Sequence, residues 1–312
     1  MKTINLEQIK KALRSINIIP DIEQGFIVYS KGQAVIPPIG ELLCKDPPGE
    51  VHIKYGYINH DDFYVVKIAS GFYENFKLNL PFSNGVILVF SKKTGALLGI
   101  LLDEGYLTDV RTAAAGAIVA KYLAPKNIVR IGIVGSGTQA KLQLHFLQKV
   151  IQCRDVLVWS RNQPNLNNFK EAMKDSFSIT IANDLDEIMD TCNLIVTTTP
   201  STQPLLLANK VKSGTHITAV GADCHHKQEL DPLIFQRADI IVADSITQCI
   251  ERGDIAHAVK NKVLSISKIS ELGNVIIGAS SARTSDNQIT IADLTGVAVQ
   301  DIQIAKCIYN HF

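Results

Sequence analysis

The chain has 312 residues, 46% of them hydrophobic and 20% charged, with a formal net charge of +1. That length exceeds one ordinary core and suffices for two compact domains, while the near-neutral balance supplies no basic field for nucleic acid or anionic lipid. No apolar run approaches the roughly 20 residues of a membrane-spanning helix.

The opening Met1-Lys2-Thr3-Ile4-Asn5-Leu6-Glu7 lacks the apolar core of a secretory signal. Six cysteines, Cys44, Cys153, Cys192, Cys224, Cys249 and Cys307, lie far apart with no CxxC pair. Scattered thiols suit a reduced, cytoplasmic protein rather than a disulfide framework. Expected, then, is a cytoplasmic protein with neither nucleic-acid nor membrane partners.

Leu6, Ile9, Leu13 and Ile16 recur at helical spacing and predict a helix over Leu6–Ile16. Apolar or alternating runs at Phe26–Tyr29, Val51–Ile58, Tyr64–Ala69, Val86–Phe90 and Gly99–Asp103 predict strands. Turn signals such as Asp46-Pro47-Pro48-Gly49 and Thr94-Gly95 separate them. At Thr108 the texture changes to an alanine-rich helix from Asp109 to about Leu123, closed by Pro125. From Ile128 strands and helices alternate, the pattern of βαβ units on a parallel sheet. Its strands are expected at Val129–Val134, Val156–Trp159, Leu194–Thr198, His216–Val220 and Ile240–Val242. A strand-like Gln288–Ala292 precedes a closing helix, Gly296–Tyr309, expected to pack back on the first domain. The fold class expected is α/β: a Rossmann-type doubly wound parallel-sheet domain at 116–289, inserted into an α+β domain of 1–115 completed by 290–312.

Ile131 to Ala140 is an apolar strand running into Gly135-Ser136-Gly137-Thr138-Gln139-Ala140 and then a helix. In this GxGxxA pattern Gly135 permits a tight turn and Gly137 lets the backbone approach a pyrophosphate. Ala140 keeps the helix close to the sheet, with its N-terminal N–H groups open to anionic oxygens. Glycine turns between strand and helix also occur without ligands. Here the strand before, the helix after and the next strand, Val156–Trp159, stand where dinucleotide binding requires them. An acidic residue at the end of that second strand would hold the ribose hydroxyls of NAD. The sequence instead has Ser160, Arg161 and Asn162, with Asp155 at the opposite end. Arg161 and Ser160 suit a 2′-phosphate, so the cofactor expected is NAD(P) with a leaning to NADP; a solvated loop arginine would leave NAD in place.

Three further segments carry chemistry. Thr108 reads as an N-cap, which sets Asp109 and Arg111 in the first turn. Arg111 beside open N–H groups is a carboxylate receptor, or else an exposed arginine paired with Asp109 or Asp103. Lys67 lies in an apolar strand: buried, it needs an anion and its pKa falls; on a sheet edge, it merely guards that edge. Asp223, in Gly221-Ala222-Asp223-Cys224-His225-His226-Lys227, follows the strand ending at Val220, where open α/β sheets bind ligands. It is a candidate base, or a simple turn residue. Cys224, His225 and His226 are adjacent and cannot wrap one ion, so no metal is expected.

Together these segments resemble the ornithine cyclodeaminase and μ-crystallin family over nearly the whole chain. The resemblance is carried by Val66-Lys67-Ile68, Asn79 to Val86, Leu107 to Gly116 and Gly135 to Ala140. Val220-Gly221-Ala222-Asp223 with Lys227-Gln228-Glu229-Leu230, and Thr295 to Asp301, complete it. It implies that Lys67 and Arg111 hold the α-carboxylate of an amino acid and that Asp223 handles protons and water. Thr198, Thr199, Val220 and Gly221 would flank the cofactor, and the first domain would form a homodimer. Cyclodeaminases usually carry another carboxylate-binding arginine where this chain has Ile39; Lys54 would supply that charge from a neighbouring strand. Ser70 to Asn75 and Leu102 to Tyr106 are similar to a subgroup that includes ectoine-utilisation cyclodeaminases.

Three activities remain open on the sequence. The first is a cyclodeaminase acting on L-ornithine or a related diamino acid through a hydride-transfer imine. The second is an NAD(P)H-dependent cyclic ketimine reductase or amino-acid dehydrogenase, and the third a non-catalytic, crystallin-like NADP-binding protein. The retention of Lys67, Arg111 and Asp223 together argues against the third.

Overall fold

The computed structural model describes all residues, Met1–Phe312. They divide into two compact units, Met1–Arg111 with Val297–Phe312, and Thr112–Gly296. The first cut falls four residues before the expected 115/116 and the second seven after the expected 289/290.

In the first unit, β1 (Lys2–Asn5) leads into α1 (Leu6–Leu13) through a reciprocal cap, Gln8 N donating to Asn5 Oδ1 at 2.9 Å and Asn5 N to Gln8 Oε1 at 3.0 Å. The strand expected at Phe26–Tyr29 is instead part of a helix, α2 (Ile19–Ser30). Pro20 stands in its first turn, and Ile19, Ile22 and Phe26 form a buried stripe at helical spacing. A four-residue apolar run is too short to show which period it belongs to.

Next come β2 (Ala34–Val35), β3 (Gly40–Lys45), β4 (Pro48–Ile58), β5 (Phe63–Phe72), β6 (Ser83–Ser91) and β7 (Leu97–Leu102). With β1 they form a seven-stranded sheet in the order β1-β7-β6-β5-β4-β2, with β3 also on β4. Alternation divides the sheet into two faces. Lys54, Ile58, Val65, Lys67, Ile87, Val89 and Leu101 are buried on the face that packs against the C-terminal helix. The opposite face presents Leu42, Ile53, Tyr55 and Leu102, all exposed.

The alanine-rich helix α3 spans Tyr106–Leu123, beginning before the expected Asp109. Glu104 (φ 54°) and Gly105 (φ 84°) turn the chain off β7, and Asp103 Oδ2 accepts from Leu107 N at 2.9 Å. Asp103 is therefore the cap in place of Thr108, which lies inside the helix.

The second unit alternates β8 (Ile131–Val134), α4 (Thr138–Leu147), β9 (Asp155–Trp159), α5 (Gln163–Met173), β10 (Ser178–Ile181), α6 (Leu185–Thr191) and β11 (Leu194–Thr197). It continues through β12 (Thr202–Leu206), β13 (His216–Ala219), β14 (Gln228–Leu230), α7 (Ile234–Arg237), β15 (Ile240–Ala243), α8 (Ile246–Cys249) and α9 (Asp254–Lys260). Last are β16 (Ile269–Glu271), α10 (Leu272–Ile276), β17 (Thr290–Asp293) and, returning to the first unit, α11 (Ala298–His311). Eight strands form one all-parallel sheet, β10-β9-β8-β11-β13-β17-β15-β16. The chain runs outward from β8 in one direction and resumes at β11 on its other side, so strand order reverses between β8 and β11. The segment 290–293, expected with the first domain, instead pairs with β13 and β15 inside this sheet.

Candidate active site

The first unit gathers its charge on the buried face of its sheet. Lys67 lies in β5 between β4 and β6, so it guards no edge; it is 2% exposed. Lys54 stands opposite it in register on β4, also buried. Asp301 of α11 answers both Lys67 and the buried Arg111 of α3: its Oδ1 accepts from Lys67 Nζ at 3.1 Å and from Arg111 Nε at 2.9 Å. Arg111 also donates through Nη1 to Gln300 Oε1 at 3.2 Å. Because α3 begins early, Arg111 sits in its second turn, among N–H groups already bonded within the helix. Its fixed direction comes from α11 and not from the helix terminus that the sequence suggested, and it is buried and not exposed.

Burial lowers the Lys67 ammonium to a pKa of about 8, Asp301 opposing and the neighbouring Arg111 reinforcing the fall. Burial alone would raise Asp301, but Arg111, Lys67 and Lys54 together hold its carboxyl below the usual range. Asp103 is pushed up, chiefly by burial. Lys67 and Arg111 thus share one carboxylate held below its usual range, whose Oδ2 is buried with no hydrogen-bond partner. Cations held in this way can receive a further anion.

In the second unit, register places Trp159, Val134, Thr197 and Ala219 side by side at the carboxyl ends of β9, β8, β11 and β13. The segments Ser160–Asn162, Gly135–Gly137, Thr198–Thr199 and Val220–Gly221 therefore leave the sheet as neighbours at the reversal of strand order. Gly135 adopts φ 118°, and a Cβ there would lie 2.5 Å from Thr198 Oγ1. Around Gly137 a Cβ would meet nothing within 4 Å, and α4 begins there with no side-chain cap. Ser136 and Ala140 are buried, while Thr138 is exposed and Gln139 half-buried. An open approach to an uncapped helix N-terminus fits a pyrophosphate. At the end of β9, Arg161 is exposed; Asn162 caps α5 by accepting from Asn165 N at 3.3 Å. Asp155 pairs with Arg130 at 2.8 Å at the far end of that strand.

Asp223 is half-exposed beyond β13, its Oδ1 accepting from Lys227 Nζ at 2.8 Å and from Cys224 Sγ at 3.2 Å. His225 Nδ1 lies 2.7 Å from the Glu251 carbonyl oxygen, which ties it to the backbone.

The sequence profile described as the ornithine cyclodeaminase/mu-crystallin family matches residues 2–312. The chain belongs to this family. It is 42% identical over 292 residues to an uncharacterized cyclodeaminase of Sinorhizobium fredii, covering 92% of this chain and 88% of that one. Among solved structures it is similar to an archaeal alanine dehydrogenase dimer with bound NAD: TM-score 0.91, 32% identity, 99% of this chain and 95% of that one. It is also similar to the Thermococcus litoralis Δ1-pyrroline-2-carboxylate reductase solved with NADH and L-proline: TM-score 0.93, 27% identity, 99% and 97% covered.

Within this member of the ornithine cyclodeaminase/mu-crystallin family, Lys67 and Arg111 meet at Asp301 and Lys54 stands opposite Lys67 on β4. Ile39 is half-buried just before β3. Sequence reasoning did not single out Asp301, Gln300, Lys227 and Glu229, which bond to the candidate residues Lys67, Arg111, Asp223, Thr199 and Gly221, although all four stand in segments that carried the resemblance. For Asp301 the available signal was an acid inside an otherwise apolar helical stripe, Val297, Val299, Ile302, Ala305 and Ile308.

Proposed function

We propose that the chain is an NAD(P)-dependent oxidoreductase acting on a small α-imino or cyclic ketimine carboxylate, and in reverse on the matching α-amino acid. The observation that carries this reading is the buried pair Lys67 and Arg111, both donating to Asp301 Oδ1, with Lys54 opposite Lys67 on β4. The α-carboxylate of such a substrate adds an anionic partner to those cations. Lys67, Arg111 and Lys54 hold the carboxylate and fix the α-carbon. A dinucleotide held there would supply hydride exchange at that carbon. Asp223, with Lys227 beside it, gives or takes the proton at the substrate nitrogen. Gly135, Ser136, Gly137, Thr138, Gln139 and Ala140 hold the pyrophosphate. Thr198, Thr199, Val220 and Gly221 line the nicotinamide side, and Ser160, Arg161 and Asn162 the adenosine ribose. The exposed Arg161 and the lack of an acid at the end of β9 support NADP, while the NAD-bound relatives support NAD. No helix is long and apolar enough to cross a membrane, and the six cysteines are unpaired, which supports a cytoplasmic enzyme. The exposed apolar face of the first sheet supports a homodimer, as does the dimeric alanine dehydrogenase.

The second reading, a cyclodeaminase of L-ornithine or a related diamino acid, is favoured by the named cyclodeaminase at 42% identity. One assay separates the two. Purified protein is given cyclic ketimines with NADH or NADPH, and in parallel L-ornithine with catalytic NAD or NADP, while nicotinamide absorbance, proline and ammonia are followed. Ketimine-dependent oxidation of reduced cofactor supports the oxidoreductase; proline and ammonia without net absorbance change overturn it in favour of the lyase. Asp223→Asn is expected to abolish turnover, on the order of 100-fold or more, with dinucleotide affinity unchanged; wild-type turnover would remove Asp223 from the mechanism. Arg161→Ala is expected to weaken NADPH binding about tenfold and NADH little, and equal losses would contradict a 2′-phosphate contact.

A further inference from the structure

Glu229 is fully buried on β14, a short strand that pairs with β12 and stands outside the main parallel sheet. Its side chain nevertheless reaches the ends of two main-sheet strands. Oε1 accepts from Thr199 N at 2.6 Å and Thr199 Oγ1 at 2.7 Å; Oε2 accepts from Thr197 Oγ1 and from Gly221 N, each at 2.8 Å. Each oxygen therefore faces one backbone N–H, a group that can only donate. Neither oxygen can be replaced by an amide NH2 without setting a donor against a donor, so the position requires a carboxyl group with both oxygens accepting.

The brace reaches three loops. Gly221 lies so close to the Thr199 backbone that a Cβ would stand 2.2 Å from Thr199 O and 2.8 Å from Glu229 Cδ. Thr198, between the two braced threonines, donates through Oγ1 to Val134 O at 3.2 Å and closes off Gly135, which has no room for a Cβ beside it. Behind Glu229, Asp254 Oδ1 accepts from Glu229 N and Leu230 N at 2.9 and 2.8 Å, fixing the strand from which the carboxylate extends. Burial pushes the Glu229 carboxyl up, and the hydrogen bonds from Thr199, Thr197 and Gly221 oppose that shift.

We infer that Glu229 is a positioning residue: its carboxylate locks the ends of β11 and β13 together and so sets Thr198–Thr199 and Val220–Gly221 in the geometry the dinucleotide meets. This rests on the dinucleotide-binding reading above. It acts through those segments and not by touching the reacting atoms, so orientation should suffer more than affinity.

The test uses the full-length chain and three variants, Glu229→Gln, Glu229→Asp and Thr199→Val. Amide hydrogen exchange is measured without cofactor, NADH and NADPH dissociation constants by fluorescence, and steady-state kcat and KM on whichever substrate the assay above identifies. Expected for Glu229→Gln is exchange at the Thr199 and Gly221 amides faster by about tenfold or more, with the β8 and β9 amides unchanged. Dinucleotide affinity should change by no more than about threefold, while kcat falls by about 100-fold with KM nearly constant. Thr199→Val, which removes one donor and keeps the carboxylate, should move the same readouts less. Wild-type exchange at both amides in Glu229→Gln overturns the proposal, as does uniform acceleration across the whole sheet. If Glu229→Gln fails to fold, Thr199→Val and Glu229→Asp decide by the same criteria. Failure of the wild-type chain to bind either dinucleotide would sink the functional reading and the catalytic role with it, whereas the exchange result reads the brace independently.

Discussion

Burial outweighs the help Lys67 receives from Asp301 and brings its pKa down to about 8. Its folded pKa lies below the ordinary value of 10.5, so the buried charge opposes folding below pH 8, and that penalty is relieved as pH rises from 8 towards 10.5. Carboxylate binding runs the opposite way, since it needs the ammonium. Affinity for a carboxylate ligand, measured by calorimetry, is therefore expected to be flat below pH 7 and to fall about tenfold per unit above pH 8. Asp301→Asn leaves Lys67 and Arg111 without their shared countercharge, a loss of about 3–5 kcal/mol in unfolding free energy. The fall in affinity should also move to lower pH in that variant. An unchanged pH profile would separate Lys67 from carboxylate binding. Lys67 was legible as a lysine in an apolar strand, but its partner lies 234 positions away. An ion pair of that span is set by the packing of α11 on the sheet, which no local pattern encodes.

At the scale of elements, the βαβ alternation and the GxGxxA turn were readable because each strand and helix follows a local period and the turn needs special backbone. The misreadings fall where that logic is weakest. The run at Phe26–Tyr29 was too short to distinguish helix from strand, and α3 starts at Tyr106 because Asp103 and the left-handed Glu104 and Gly105 outcompete Thr108 as its start. The strand at Gln288–Ala292 was legible, but from residue 290 on it was assigned with the last helix to the first domain, whereas its register with β13 and β15 makes β17 an internal strand of the second unit. The two fingerprint glycines, alike in sequence, are expected to separate sharply. Gly135→Ala forces a side chain onto φ 118° and against Thr198, and should cost about 1–3 kcal/mol of stability. Gly137→Ala meets no protein atom, so its Tm should stay within about 2 °C of wild type, while NADH or NADPH binds about tenfold or more weakly. Equal stability losses, or intact affinity in Gly137→Ala, would contradict the assignment of that open approach to a pyrophosphate.

For the whole molecule, the outer face of the first sheet is the feature least explained within one chain. Tyr55 pairs with Val66 and Ile53 with Ile68 across β4 and β5, and Leu42 continues the face on β3, so the apolar side chains are contiguous. Leu42 is 59%, Ile53 37% and Tyr55 41% exposed. A strand normally alternates apolar and polar when one face meets water; here the face left exposed in the protomer is apolar, the pattern of a sheet covered on both sides. Two copies packed sheet to sheet would cover it. Sedimentation velocity is expected to show a dimer for the wild type and a monomer for the double variant Ile53→Asp with Tyr55→Asp. Because both side chains are exposed in the protomer, the acids should leave each unit folded, and NADH affinity should change by less than about threefold. A wild-type chain that sediments as a monomer at micromolar concentration would sink the homodimer. A double variant that unfolds would instead show that this face is held within the chain itself.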